Sequence, residues 1–292
     1  MLRQNKLGYH EITNKPTADE LSLYYHDKYY QEARGSYELV YTNSEIEYFN
    51  SRLSRIHYLV DENQPSEHRR KFLDVGCGEG FGLAYFARNN FEVSGLDFSS
   101  AGVCQQNPDF ADCVETGDLF YLLEKESLSN NKYDVILMQN VLEHVLDPID
   151  LLQSIKFLLK PTGLAVITVP NDFSLTQKNL LTKGFIDREF WVCPPDHLSY
   201  FNYDSLQNTL HHCGFSVRDL ISDFPVDWYL FNSESNFIND SSKGKAAHLS
   251  RVTIENMLQT NNISDVVSFY RSLARLGSGR NLTAIAGLDN LP

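Results

Sequence analysis

The residues best suited to chemistry in this chain gather at the ends of short apolar runs. Asp74-x-Gly76-x-Gly78-x-Gly80 closes the run KFLDVG (71–76), Asp97 closes EVSGLD (92–97), and Asp118 closes DCVETGD (112–118). Gln139 and Asn140 lie near the end of YDVILMQNV (133–141), Glu143 and His144 follow at once, and His197 stands further on in PPDHLSYF. Alternating glycines let the backbone turn with positive φ and let a ligand approach where a Cβ would stand. A carboxylate can accept two hydrogen bonds at once, and an imidazole is the usual proton acceptor near neutral pH. Each of these residues also has a purely structural reading. Asp97 or Asp118 can cap a helix or close a turn, His144 can pack a helix start, and His197 can tie down a loop. The dinucleotide fingerprint GxGxxG would need glycine at 81 or 83, where Phe81 and Leu83 stand instead, so the turn does not read as a pyrophosphate site.

To bring those residues together, the runs must be parallel strands. Between them lie GFGLAYFARNN, SSAGVCQQN, LFYLLEKESL and PIDLLQSIKFLLK, each able to form two to three helical turns, and LAVITVP (164–170) is a fifth run. Strand–helix alternation at this interval predicts βαβ units with right-handed crossovers. Lys160-Pro161-Thr162-Gly163 reads as a helix stop and a turn. Upstream, helices are expected over Ala18–Tyr30 and Ser44–Val60, the second from Ile46, Phe49, Leu53, Ile56, Leu59 and Val60 at helical spacing. Residues 61–66 read as a linker. Downstream, a helix (Tyr203–Cys213), a strand (Phe215–Leu220), two helices (Ala246–Gln259 and Ile263–Leu276) and a closing strand (280–288) are expected, with residues 171–201 irregular.

DVGCGEGFG resembles the first motif of class I S-adenosylmethionine-dependent methyltransferases, in which an acidic residue precedes three alternating glycines. Asp97 falls where that family keeps the carboxylate that holds both ribose hydroxyls, with Phe98 beside the adenine. Asp118 and Leu119 match the position that contacts the adenine amino group. Gln139-Asn140 followed by VLEHV and Asp147-Pro148 resembles the subgroup of ubiquinone-type O-methyltransferases, and DHLSYFNYDSLQNTLHHCGF (196–215) the segment before that subgroup's last helix. The resemblance covers roughly residues 70–220. It implies an α/β fold with a doubly wound, mostly parallel seven-stranded sheet, Rossmann-like, whose last strand is antiparallel. It also implies an N-terminal helical cap (1–69), a cofactor domain (70–223 with 278–292) and a helical insertion (224–277) that is a substrate lid or a homodimer contact. The implied cofactor is S-adenosylmethionine, held by Asp74, Gly76, Cys77, Gly78, Gly80, Asp97, Phe98, Asp118, Leu119, Gln139 and Asn140.

Methyl transfer to a hydroxyl requires alignment and a proton acceptor. His144, just past the fourth strand, is the first candidate base and His197 the second. Glu143 could orient His144 or join other oxygens around a metal as in some relatives, but no full ligand set is visible and no metal is expected. The Tyr-rich N-terminus (Tyr24, Tyr25, Tyr29, Tyr30, Tyr37, Tyr41) reads as a lid over the site or as an ordinary packed helix face. The acceptor expected first is a hydroxyl of a sugar or polysaccharide precursor, with Lys183, Arg188 and Lys243 available for a sugar nucleotide. A quinone or secondary-metabolite acceptor, a protein acceptor and a non-catalytic scaffold stay open.

Composition narrows the partners. A formal charge of −13 and the absence of a dense Lys/Arg cluster argue against nucleic acid. Five cysteines without paired spacing read as reduced thiols. No apolar run approaches the ~20 residues of a membrane span, so a cytoplasmic protein without a membrane partner is expected.

Overall fold

The computed structural model describes residues 1–21, 23, 24 and 40–289. Two short strands, β1 (Leu2–Gln4) and β2 (His10–Ile12), form an antiparallel hairpin, and α1 (Asn43–Asn63) follows. The alternation then runs β3 (Lys71–Val75), α2 (Phe81–Arg88), β4 (Glu92–Asp97), α3 (Ala101–Gln106), β5 (Val114–Thr116), α4 (Leu119–Leu128), β6 (Tyr133–Gln139), α5 (Pro148–Leu158) and β7 (Leu159–Pro170). The last third holds α6 (Leu175–Thr182), β8 (Ser199–Tyr200), α7 (Tyr203–His212), β9 (Phe215–Ser222), α8 (Gly244–Gln259), α9 (Ile263–Arg275) and β10 (Asn281–Leu288).

Seven strands make the main sheet in the order β5-β4-β3-β6-β7-β10-β9. β3 to β7 pair in parallel, and β10 inserts antiparallel between β7 and β9. This is the expected doubly wound sheet with its antiparallel last strand. The chain winds outward from β3 in both directions, so a crevice opens at the strand C-termini between β3 and β6.

Burial on both faces follows from the pleat. Leu73 in β3, Ile136 and Met138 in β6, and Ala165 and Ile167 in β7 face a core built with α4, α5 and α7. Phe72, Val135, Leu137 and Val166 face the other way, onto α1, α2 and α9. The apolar stripe expected of the first long helix, including Leu53, Ile56, Leu59 and Val60, is the surface α1 lays on that second face. Thr42 and Glu45 cap it reciprocally. A third, smaller core joins Ile12, Leu180, Ile186, Trp191, Leu198, Tyr200 and Leu230, so the hairpin, α6 and the 170–200 segment pack as one layer.

Four local readings change. Residues 61–63 are the last turn of α1 rather than linker, because Asp61 is pinned by Arg70 at 2.5 Å and Glu62 pairs with Arg271. Lys160-Pro161-Thr162-Gly163 is strand rather than turn. Leu159 already pairs with Tyr133, and the ladder slips before Val135, where a proline without an N–H is tolerated. The irregular stretch 171–201 contains α6, capped reciprocally by Ser174 and Gln177, and β8. The N-terminal region begins as a hairpin that pairs with β8. Of the N-terminal helix expected over Ala18–Tyr30, residues 22 and 25–30 lie outside the described residues, as do Tyr25, Tyr29, Tyr30 and Tyr37 of the tyrosines that read as a lid or as a packed helix face.

Candidate active site

The turn after β3 is a chain of left-handed glycines, with φ of +75°, +52° and +74° at Gly76, Gly78 and Gly80. Side chains would not fit there. A Cβ on Gly76 would stand 2.5 Å from Val141 Cγ2, and one on Gly80 2.7 Å from Val103 Cγ2. The turn thus lies tight against its neighbours and leaves its backbone facing the crevice.

Asp97 closes this loop from the next strand. Its Oδ2 accepts the Gly78 N–H at 2.8 Å and its Oδ1 the Ser99 N–H at 3.1 Å. Burial raises its pKa, and those backbone donors oppose the rise. Asp118 caps α4 by accepting the Tyr121 N–H at 3.0 Å, so its structural reading holds, and the residue also lines the crevice. Asn140 adopts a left-handed φ of +53° and donates its N–H to Thr168 O at 2.9 Å, which turns the chain sharply out of β6.

Gly76, Gly78, Asp97, Phe98, Asp118, Leu119, Gln139, Asn140 and His144 line a cavity of about 390 Å³. Asp74, Cys77 and Gly80 belong to the same motif but do not line it. Asp74 is buried beneath α2, where burial and the neighbouring Asp97 push its pKa up to about 8. Cys77 is buried against Gly95, and Gly80 starts α2. Sequence reasoning did not name Gly117, Phe120, Val141, Val145 and Leu146 as lining residues, nor Ala18 and Leu21, which belong to the helix expected over Ala18–Tyr30.

The two histidines meet at one end of this cavity. Their rings are 4.8 Å apart and nearly perpendicular, although His197 is not among the lining residues. His144 Nδ1 is 2.7 Å from the carbonyl oxygen of Asp196. A carbonyl can only accept, so Nδ1 carries the proton and Nε2 of the neutral ring holds a lone pair. His144 Nε2 lies 3.8 Å from Glu143 Oε1. Glu143 is fully buried, neither carboxylate oxygen has a hydrogen-bond partner among the described residues, and burial reinforced by Asp172 and Asp196 pushes its pKa up to about 8 against the opposing pull of its own backbone N–H. A buried carboxyl group without donors is costly, so this corner suits a ligand hydroxyl or a cation. Glu143, His144 and His197 each offer an atom within 4.8 Å of the others, a set that could hold a metal ion. The sequence hid that set because His197 arrives from a distant loop.

Helices α8 and α9, expected over the substrate or at a dimer contact, contribute no residue to the cavity wall. They lie on the α1 face, with Glu255 in α8 paired to Arg55 in α1 at 2.5 Å and Arg271 in α9 bound to Asp219 in β9. Among the described residues no helix is long and apolar enough to cross a membrane.

Comparisons with known proteins agree with the fold. A family model described as a methyltransferase domain matches residues 44–220, more than half of the chain. The ubiquinone biosynthesis O-methyltransferase of Actinobacillus pleuropneumoniae is 32% identical over 108 residues, which is 35% of this chain and 46% of that protein. The protein of the same name from Histophilus somni is 32% identical over 174 residues, 53% of this chain and 71% of that one. The matches thus span about half the length of the first relative and more of the second. Among solved structures, a methyltransferase dependent on S-adenosylmethionine from Archaeoglobus fulgidus shares the fold, with a TM-score of 0.51 at 19% identity over 91% of this chain and 98% of that one.

Proposed function

The chain belongs to the S-adenosylmethionine-dependent methyltransferase-domain family, and from that premise we propose that it methylates a hydroxyl of a small-molecule acceptor with His144 as general base. The observation that carries this is the bond from His144 Nδ1 to the Asp196 carbonyl at the cavity end, which leaves Nε2, 3.8 Å from Glu143 Oε1, as the basic nitrogen of the neutral ring. The cavity fits the cofactor on three counts: a glycine cradle that a Cβ would fill, a carboxylate at Asp97 to accept ribose hydroxyls, and a ring at Phe98 for the adenine. Bound there, S-adenosylmethionine supplies an electrophilic methyl group on a good leaving group. The chain's own part is to hold the acceptor in line, exclude water and take the hydroxyl proton at His144 Nε2.

For the acceptor, a quinone-type or other apolar hydroxyl compound has better support than a sugar. The wall near His144 is apolar, formed by Val141, Val145 and Leu146, and the relatives are named for ubiquinone biosynthesis. Among the described residues no Lys or Arg lines that wall, and Lys183, Arg188 and Lys243 lie outside it. Cytoplasmic placement and a homodimer belong to the same proposal and have no separate support among the described residues.

The test is calorimetric titration with S-adenosylmethionine, S-adenosylhomocysteine and NADH, followed by an assay of S-adenosylhomocysteine release with quinone-type hydroxyl compounds and with sugar nucleotides. Saturable binding of the first two ligands alone, and turnover on the apolar acceptors, is expected. Binding of neither would sink the enzyme reading, and turnover on sugar nucleotides alone would reverse the acceptor. A metal at Glu143, His144 and His197 is a second reading, favoured by the donorless Glu143. It requires that metal analysis find an ion and that a chelator abolish turnover.

A further inference from the structure

We propose that the segment Glu11–Lys15, leaving the N-terminal hairpin, is a strap that sets the two histidine loops against each other, with Lys15 as its positioning residue. The inference rests on the reading of His144 as base, and it concerns how that base keeps its orientation.

His144 and His197 sit on separate loops that share no continuous element. His144 lies in the turn after β6, and His197 lies just before β8. The bond that orients His144 crosses between them, from Nδ1 to Asp196 O. Its geometry therefore depends on the relative placement of two loops about fifty residues apart in the chain.

One short segment contacts both. On one side β2 pairs antiparallel with β8, His10 opposite Tyr200 and Glu11 opposite Ser199, and the Ile12 N–H reaches Leu198 O at 3.1 Å. The same stretch donates the N–H groups of Leu198 and Ser199 to Glu143 O at 2.8 and 3.1 Å, and Tyr200 donates its hydroxyl to His197 O at 2.8 Å. On the other side Lys15 Nζ donates to Leu146 O at 2.6 Å, two residues past His144. Glu11 clamps Lys15 at 3.0 Å and is itself held by Arg3 at 3.0 Å. Glu11 is buried, while Lys15 is partly and Arg3 largely exposed, so salt screens the Arg3 pair more than the Lys15 pair. Among the described residues the loops also meet directly, through Leu198 and Ser199 to Glu143 O and through His144 to Asp196 O, and a shift of about 1 Å is enough to degrade the last of these bonds.

The experiment is ¹⁵N NMR of the histidine rings in the full chain, with S-adenosylhomocysteine affinity measured in parallel by calorimetry. His144 is assigned by the signal lost in His144→Gln. In the unsubstituted protein a single Nδ1–H tautomer is expected at His144. Lys15→Met, and more weakly Glu11→Gln, should make the Nε2–H tautomer visible beside it, while Lys15→Arg restores the single form. His57 and His248, on α1 and α8, should not change, which separates a positioning effect from general loosening. Unchanged His144 signals in Lys15→Met, or a His144 that already samples both tautomers in the unsubstituted protein, would overturn the strap. The ring signals require no ligand, so failure to bind S-adenosylhomocysteine would count against the methyl-transfer reading alone.

Discussion

At the scale of single residues, the candidate site divides by whether a role follows from local spacing or from distant convergence. Asp97 was legible as a candidate because it ends the strand after a glycine turn, with a capping or turn role equally open, and its carboxylate holds Gly78 of that turn and Ser99 of its own loop. Replacing it with Ala removes two charge-assisted bonds and the acceptor for the ribose, so affinity for S-adenosylhomocysteine should fall by ~30-fold or more. Calorimetry checks this, and affinity within a few-fold of the parent would remove Asp97 from the cofactor site. His144→Ala should instead lower turnover by ~10²-fold with cofactor affinity nearly unchanged. Steady-state rates alongside the titration decide it, and unaltered turnover would reject the general-base role. Glu143, by contrast, was legible only as a neighbour of His144. Its burial, and the approach of His197, depend on a loop that meets the β6 turn only in the folded chain.

Among elements, what could be read were the pieces that carry their own periodicity. β3, β6 and β7 are continuous apolar runs because both faces are covered, and α1 shows its stripe because one face is. The hairpin was invisible since three-residue strands hold too few side chains for an alternation, and the partner strand β8 is nearly two hundred residues away. α6 was missed because it is short and mostly polar, its stability coming from the Ser174–Gln177 cap. The docking of α2 on the sheet is a case where the motif was seen but its physical reason was only partly visible. A Cβ on Gly82 would stand 2.3 Å from Asp74 Oδ2 and 3.3 Å from Leu137. Gly82→Ala should therefore lift α2 or displace the Asp74 carboxyl, at a cost of about 1–3 kcal/mol. Urea denaturation would register it as a lower midpoint with little change in slope. A neutral result would mean that α2 has slack that these distances deny.

Over the whole molecule, the same buried acids make stability depend on pH in an unusual direction. Burial pushes Asp74 and Glu143 up to about 8 from 3.8 and 4.5, and Asp172 up to about 6 from 3.8, the last partly offset by Arg280 at 3.1 Å. Between the unfolded and folded values the native state binds more protons than the unfolded chain, so stability falls as pH rises. The contribution of these groups is fully present below about 4, is lost first through about 6 at Asp172, and then through about 8 at Asp74 and Glu143. Carboxylates such as Glu45, whose pKa is lowered by the Thr42 cap, act oppositely and lose their contribution only at more acid pH. Midpoints of thermal unfolding for the ligand-free protein should thus decline steadily from about pH 5.5 to about pH 8.5. The excess of acidic over basic residues pushes the same way through self-repulsion, so the slope alone does not identify the cause. Glu143→Gln does: it removes one ionisable group from the buried set while changing the net charge by a single unit. If the buried acids dominate, the variant should be less sensitive to pH and gain on the parent at the alkaline end. A slope identical to the parent's would assign the effect to surface repulsion and would mean that Glu143 finds a donor in solution that it lacks among the described residues.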